Sequence, residues 1–453
     1  MDDDPREIVS PVLKKPDIQK QKQRLERIVK EAEKRVDFTV ANDPAIRKAI
    51  QAVEHFLIKS KRVCYGGQAI NALLSKERKF YDEKYTIPDY DFFTPTMEQD
   101  VEDLMSFLEA EGFTEISKKL SVHEGTIKIY VNYIPVADCS QMNPEMFKII
   151  QKRAKSVNGI LYCDADLLRM FMYLEISRPR GEVARWSKVF DRLTLLNHEY
   201  PVSEGGSCDE DLVIPHTVSA EIRAEILELC VKRKSVMMGP EFVQLLGMNR
   251  DKISLQGLSS LGGPLIFMSS NPHVDAEDIK HMMGFGVSGE SGESGESGES
   301  GESKRSKGKQ FVIKDFPSPS DHIYDYVTVS KGGNLIAMIL KENSCHAYTT
   351  LNVDGADMRV GTPDLLLNYY YTVLIFGSKR DKSQFNVNCV VRKLYEISEK
   401  ARDRPTQFVP AFGLRCSGHQ KGIATLLKLK AERTHKVGSK KQRLRRSTRK
   451  RKL

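Results

Sequence analysis

The chain has 453 residues and a mass of 51.4 kDa, room for about three domains. Hydrophobic residues make up 40% and charged residues 29%, which excludes a chain disordered throughout; no apolar run approaches the roughly 20 residues that span a bilayer, and Met1-Asp2-Asp3-Asp4 lacks the blocks of a signal peptide, so neither membrane insertion nor Sec-type secretion is expected. The net charge of +9 is uneven, because Gly418 to Leu453 carry 14 Lys and Arg against one acid, Glu432, and leave the body slightly acidic.

In chain order, residues 1–42 open with acids and prolines and then give a charged helical stretch, Asp17 to Val36. Its apolar positions are sparse (Leu25, Ile28, Val29, Ala32), so it is expected on a surface. Asn42-Asp43-Pro44 starts a second helix, with a capping side chain followed by proline at the first helical position. Ile46, Ile50, Val53 and Leu57 give that helix one buried face. A short strand, Arg62 to Tyr65, the pair Gly66-Gly67 and a helix from Gln68 to Leu74 follow. A polar insert, Ser75 to Thr86, leads to the strand pattern Ile87-Pro88-Asp89-Tyr90-Asp91-Phe92-Phe93. Thr96 is placed to cap a helix reaching Ala110. Two strands, Ser121 to Val131 and Tyr133 to Cys139, bend near Gly125 and Asn132, and Pro144 to His198 reads as mainly helical.

The second half holds five Ser-Gly-Glu triplets and a closing serine over 288–303, a tract too polar and flexible to bury a core. Leu365 to Phe376, interrupted by Asn368, reads as a buried helix. Asp166-Leu167-Leu168 and Asp364-Leu365-Leu366 open similar apolar helices in which Tyr173 matches Tyr371, with glycine-hinged strands upstream around Gly125 and Gly332. This weak repeat suggests two related halves. The chain then divides into a charged helical segment 1–42, a domain 43–200, a related domain 201–416 with the 288–303 insertion, and an unstructured basic tail 417–453. Eight cysteines, no two within four residues, and ten histidines without an H-x-x-x-H pair exclude common zinc spacings and suggest inert thiols in a reducing intracellular compartment.

Chemistry concentrates at Asp89 and Asp91. Residues two apart on a strand share a face, so these carboxylates converge while Tyr90 and Phe92 pack behind them. Such a pair is costly without a divalent cation, and hard oxygen ligands suit Mg²⁺ bridged to phosphates. Asp138, in Val136-Ala137-Asp138-Cys139, ends a strand that can lie alongside, with Glu124 as its rival for the third carboxylate. Gly66-Gly67, between strand and helix, lets backbone N–H groups approach a phosphate. Asp164-Ala165-Asp166 is also D-x-D, but it precedes an apolar helix and is better explained as a cap. Tyr369-Tyr370-Tyr371 is better explained as core than as a base-stacking surface.

The order of glycine pair, helix, D-x-D strand, hairpin and third carboxylate resembles the DNA polymerase β-type nucleotidyltransferase superfamily. More narrowly, the chain resembles the poly(A) polymerase catalytic subunit of nucleocytoplasmic large DNA viruses. The residues that carry this are Cys64 to Asn71, Pro88 to Phe93, Gly125 to Val131, Val136-Ala137-Asp138, Arg178 to Gly181 and Arg185 to Lys188. The resemblance implies an α+β fold with a nucleotidyltransferase domain and a second, degenerate copy. It also implies transfer of AMP from ATP to an RNA 3′-hydroxyl with Mg²⁺ or Mn²⁺. Asp89, Asp91 and Asp138 would be catalytic metal ligands, and Gly66 and Gly67 would contact the triphosphate. Lys188, with Lys155 behind it, would neutralise the leaving pyrophosphate. A homodimer, and a viral protein of the virion and host cytoplasm, follow from the same resemblance. Other terminal transferases, or a non-catalytic RNA-binding processivity subunit on this fold, remain as alternatives. In the second half, Cys345 to Leu351, set against the Asp138 strand, has no carboxylate, and Val274 to Asp278 reads as an acidic loop or helix start. The basic tail is expected to bind RNA phosphates with steep salt dependence.

Overall fold

The computed structural model describes residues 17–202, 208, 212, 218–285, 311–318, 323–377 and 386–450, with side chains to residue 436 and without those of 284–285. The Ser-Gly-Glu tract and the first 16 residues lie outside the described residues.

The first half begins with α1 (Ile18–Ala41), whose side chains are exposed along nearly its whole length, as its sparse apolar positions require. In α2 (Pro44–Ser60) Asp43 accepts from the N–H groups of Ala45 and Ile46, and Ile46, Ile50, Val53 and Leu57 are buried. Next come β1 (Val63–Tyr65), α3 (Gly66–Leu73), β2 (Tyr90–Thr94) and α4 (Met97–Ala110). Then follow β3 (Ile116–Leu120), β4 (Thr126–Val131), β5 (Ile134–Gln141), α5 (Pro144–Arg153), β6 (Lys155–Val157), β7 (Ile160–Tyr162), α6 (Ala165–Ile176) and α7 (Trp186–Glu199). They build a seven-stranded mixed sheet in the order β3-β4-β5-β2-β1-β7-β6. Central β2 is covered on both faces, and only Asp91 among its residues stays partly open.

Three local expectations change. Residues 121–125 are a turn, so the strand expected over 121–131 shortens to β4, and β3 precedes it unanticipated; the lysines of this edge strand masked its period. Residues 155–162 form a hairpin within the stretch read as helical. Its signal was present, since Asn158-Gly159 between β-formers is a favoured two-residue turn, and both residues have positive φ. Thr96 occupies the N-cap position of α4, but its side chain makes no capping bond; its own N–H donates to Thr94 Oγ1.

The second half contains α8 (Ala220–Arg233), β8 (Val236–Met237), α9 (Pro240–Gly247), β9 (Lys252–Ile253), α10 (Leu255–Ser259), β10 (Leu265–Ser269) and α11 (Pro272–Phe285). Then come β11 (Phe311–Phe316), β12 (Tyr326–Lys331), β13 (Asn334–Lys341), β14 (His346–Val353), β15 (Ala356–Gly361), α12 (Pro363–Phe376), α13 (Val387–Asp403), β16 (Cys416–Ser417) and α14 (Ile423–Lys450). The sheet order β11-β12-β13-β10-β8-β15-β14 repeats that of the first half strand for strand, with β16 added at the edge. Parallel pairing recurs in the same places, β2 with β5 and β10 with β13, β1 with β7 and β8 with β15.

This register corrects the expected correspondence. The counterpart of the Asp138 strand is β13, and Cys345 to Leu351 lies mostly in β14, the counterpart of β6. Gly332 corresponds to Asn132, since both stand at positive φ in the tight turn between matching strands. Residues 274–278 lie within α11.

The halves meet where α6 packs on α12. Tyr173 and Tyr371 stack with centroids 6.0 Å apart, and Asn368 Nδ2 donates to the carbonyl of Met170, 198 residues earlier. Tyr369, Tyr370 and Tyr371 are all buried, so they are core.

Two expectations about the periphery also change. Residues 423–450 form α14, where the sequence suggests an unstructured tail; Arg433 bonds the carbonyls of Ser121 and Val122 and pairs with Glu124 in the first half. Four of the eight cysteines are paired, Cys208–Cys389 and Cys345–Cys416, while Cys64, Cys139, Cys163 and Cys230 are buried free thiols. Separations of 181 and 71 residues hide such pairs from any spacing rule, and the thiol argument for a reducing compartment loses its support. Among the described residues no helix is long and apolar enough to cross a membrane.

Candidate active site

The site forms where β2, β5 and the start of α3 meet. Parallel pairing sets Asp91 directly beside Asp138, and Asp89, two residues before Asp91, belongs to the same face. On the other side of β5, Lys128 of β4 is in register with Asp138, and its ammonium pairs with Asp138 Oδ2. Asp138 is buried, and its Oδ1 has no hydrogen-bond partner among the described residues.

Crowded beside Asp138, the carboxyls of Asp89 and Asp91 resist ionisation. Burial, then the charges of Asp89 and Asp138, push the Asp91 carboxyl up to about 7, with Lys128 and Arg185 opposing. Asp89 lies at the mouth and is accessible to solvent, yet surrounding protein and the charge of Asp138 raise its pKa as well. Burial disfavours the Lys128 cation, but its bond to Asp138 and the three carboxylate charges outweigh that and raise its pKa. Lys128 therefore stands in part for a metal cation.

Among the described residues no three acidic, histidine or cysteine side chains are gathered as a ready-made metal cage, and Lys128 holds one Asp138 oxygen. The donors nonetheless fit a divalent ion. They are hard oxygens on adjacent rigid strands, one of them buried and unbonded, and their mutual repulsion is what an added cation relieves.

Gly66 has a φ of +73°, a region glycine enters without strain, and a Cβ there would meet Asp91 Oδ2 at 2.5 Å. A Cβ on Gly67 would meet the Tyr81 hydroxyl at 2.6 Å and Arg192 Nη1 at 2.9 Å. The glycine pair thus lies between the carboxylates and a guanidinium. Lys188 is exposed one turn before Arg192 on α7, and Arg192, burial and Arg185 together lower its pKa, with Glu175 opposing.

The structure brings Asp89, Asp91, Asp138, Gly66 and Gly67 together. Lys155 stands apart, exposed at the start of edge strand β6, three strands and about 14 Å of sheet from β2. Glu124 is on the exposed β3–β4 turn, paired with Arg433. Asp164 caps α6 by accepting from the Leu167 N–H, and Arg153 pairs with both Asp164 and Asp166. Sequence reasoning missed Lys128 and Arg192. Alternation places Lys128 on one face of β4, but no motif marks its register, and Arg192 reaches the glycine pair only through the packing of α7.

The equivalent corner of the second half has lost the three carboxylates and Lys128, although Gly239 stands where Gly66 does. By register Ile266 takes the place of Asp91, Met338 that of Asp138 and Thr328 that of Lys128. Pro264 stands where Asp89 does, and together with Ile266 and Met338 it lines an apolar cavity of about 100 Å³.

Residues 51–182 match the family model described as the poly(A) polymerase catalytic subunit. The putative poly(A) polymerase catalytic subunit of African swine fever virus (strain Badajoz 1971 Vero-adapted) is 32% identical over 167 residues, 36% of this chain and 35% of that one. The protein of that name from Acanthamoeba polyphaga mimivirus is 28% identical over 201 residues, 43% of this chain and 33% of that one. The matching stretch therefore spans about a third of the length of these relatives. The crystal structure of the Megavirus polyadenylate synthase superposes with a TM-score of 0.71 over 96% of this chain and 87% of that chain, at 16% identity. The segment bearing the glycine pair and all three carboxylates is thus similar to poly(A) polymerase catalytic subunits, and nearly the whole chain shares the fold of a viral polyadenylate synthase.

Proposed function

We propose that this protein is a template-independent polynucleotide adenylyltransferase, which transfers AMP from ATP to an RNA 3′-hydroxyl and releases pyrophosphate. The observation that carries this reading is the convergence of Asp89, Asp91 and Asp138 on one sheet face beside Gly66 and Gly67. Their likeness to poly(A) polymerase catalytic subunits over residues 51–182 supports it.

Asp89 and Asp91 would hold divalent ions, Mg²⁺ or Mn²⁺, and Asp138 would complete the one nearer the attacking hydroxyl. Bound there, such ions supply Lewis acidity and neutralise phosphate charge. The chain's own part is positional. Gly66 and Gly67 let the triphosphate approach the backbone, and Lys188 adds positive charge where pyrophosphate departs. Lys128 offsets the carboxylate repulsion in the free protein and keeps Asp138 in place.

A non-catalytic RNA-binding role is disfavoured by the contrast within the chain. The second half shows apolar residues replacing these acids, whereas the first half keeps a cluster that costs stability. Association as a homodimer and residence in the virion and host cytoplasm belong to the same proposal. The test is extension of a labelled oligoadenylate with Mg²⁺ or Mn²⁺ and each NTP separately. A ladder with ATP alone is expected. Growth with UTP or CTP would reassign the enzyme to another terminal transferase, and no growth with any NTP would sink the enzymatic reading.

A further inference from the structure

Arg192 is the cation nearest the glycine pair that no part of the carboxylate chemistry uses. Its guanidinium sits beside the insert between α3 and β2, over the rings of Phe80 at 4.7 Å and Tyr81 at 5.5 Å. Its Nη2 donates to the Tyr81 hydroxyl at 2.6 Å, and among the described residues it takes part in no ion pair. The acid that could neutralise it, Glu175, is already paired with Arg185. Lys188 one turn away adds a like charge, so this face of α7 holds cations at close quarters without an anion between them.

The insert that supplies Tyr81 is tied to the phosphate-binding helix itself. Buried Asn71 of α3 accepts from the N–H groups of Phe80 and Tyr81 at 2.9 and 3.1 Å, and Arg78 pairs with Glu199 at 2.6 Å. Tyr81 and Arg192 are therefore held against the backbone of Gly67, while Asp91 lies against Gly66. A polyphosphate that begins at the carboxylates and crosses the dipeptide ends on Arg192.

We propose that Arg192 reads the terminal phosphate of the nucleoside triphosphate, and that the Tyr81 hydroxyl holds its guanidinium in place until that phosphate arrives. The inference rests on the nucleotidyltransferase reading and adds to it a residue that discriminates triphosphate from diphosphate. A guanidinium suits this task because its planar fork gives two parallel bonds to a phosphate, which an ammonium does not. The exchange is favourable because a neutral hydroxyl acceptor is replaced by a charged one.

The experiment is equilibrium binding of ATP and of ADP to the full chain with Mg²⁺ and without primer. The wild type is expected to favour ATP by about tenfold or more, and Arg192→Gln to weaken ATP by about tenfold while leaving ADP within about twofold. Tyr81→Phe keeps the ring under the guanidinium but removes the competing acceptor, so it is expected to bind ATP more tightly and ADP as before. This opposite direction separates a role in recognition from a damaged fold. Equal loss of ATP and ADP in Arg192→Gln, no loss of either, or a wild type blind to the third phosphate would overturn the inference while leaving the nucleotidyltransferase reading standing. If the wild type binds neither nucleotide, that reading itself fails.

Discussion

Asp91→Asn should abolish nucleotide addition and at the same time make the metal-free protein more stable. The Asp91 carboxyl, with an ordinary value of 3.8, is pushed up to about 7 by burial and by Asp89 and Asp138. Between those two values the folded protein binds more protons than the unfolded chain, so stability falls as pH rises through this window and levels off above about 7. At about 1.4 kcal/mol per pH unit the ceiling on the penalty is about 4 kcal/mol. The buried asparagine amide keeps some cost of its own, so a gain of about 2 to 3 kcal/mol above pH 7 is expected, shrinking towards zero near pH 4. The assay is urea unfolding of both proteins in EDTA at several pH values, repeated with Mg²⁺ or Mn²⁺. Metal should raise the wild-type midpoint and leave the variant nearly unchanged. A stability difference independent of pH, or equal stabilisation of both proteins by metal, would refute the argument that the carboxylates form a strained cation site.

Gly66→Ala should lose at least about 1 kcal/mol of stability to positive φ alone and displace Asp91, so activity falls together with the unfolding midpoint; normal turnover would show that the close approach of the two residues is irrelevant. Lys188→Ala should raise KM for ATP by several-fold, whereas Lys155→Ala at the far sheet edge should leave steady-state kinetics unchanged; the reverse pattern would restore Lys155 to the site. Asp164→Ala should stay active but lose about 1 kcal/mol or somewhat more, because the side chain caps α6 and pairs with Arg153; thermal denaturation beside primer extension separates the two effects. Deleting residues 437–453 removes nine Lys and Arg and should weaken primer binding at low salt and flatten the slope of affinity against salt. An unchanged slope would deny this segment an RNA role.

The first half was largely legible in the sequence because its motifs are local. Gly66-Gly67 needs a strand before it and a helix after it, and Asp89 and Asp91 share a face by strand period alone. The cap at Asp43 and Pro44 could be read from the three residues Asn42-Asp43-Pro44. The duplication was visible as well, through Tyr173 and Tyr371, although its register was not. A similarity of two helices does not say which strand of one sheet matches which of the other, so the counterpart of Asp138 was placed in β14 when hydrogen bonding puts Met338 of β13 there. Everything that depends on elements distant in sequence was decided by tertiary packing. Lys128 becomes the partner of Asp138 only through the β4–β5 register, and Arg192 reaches Gly67 only because α7 folds back over α3. The two disulfides join cysteines that no spacing connects, and α14, read as a charged tail, is a helix whose Arg433 bonds the carbonyls of a turn in the other half. Periodicity and turn chemistry act over a few residues, so the sequence alone determined elements and one strand's worth of chemistry; registers, charge partners and cross-links are set when distant segments share a core.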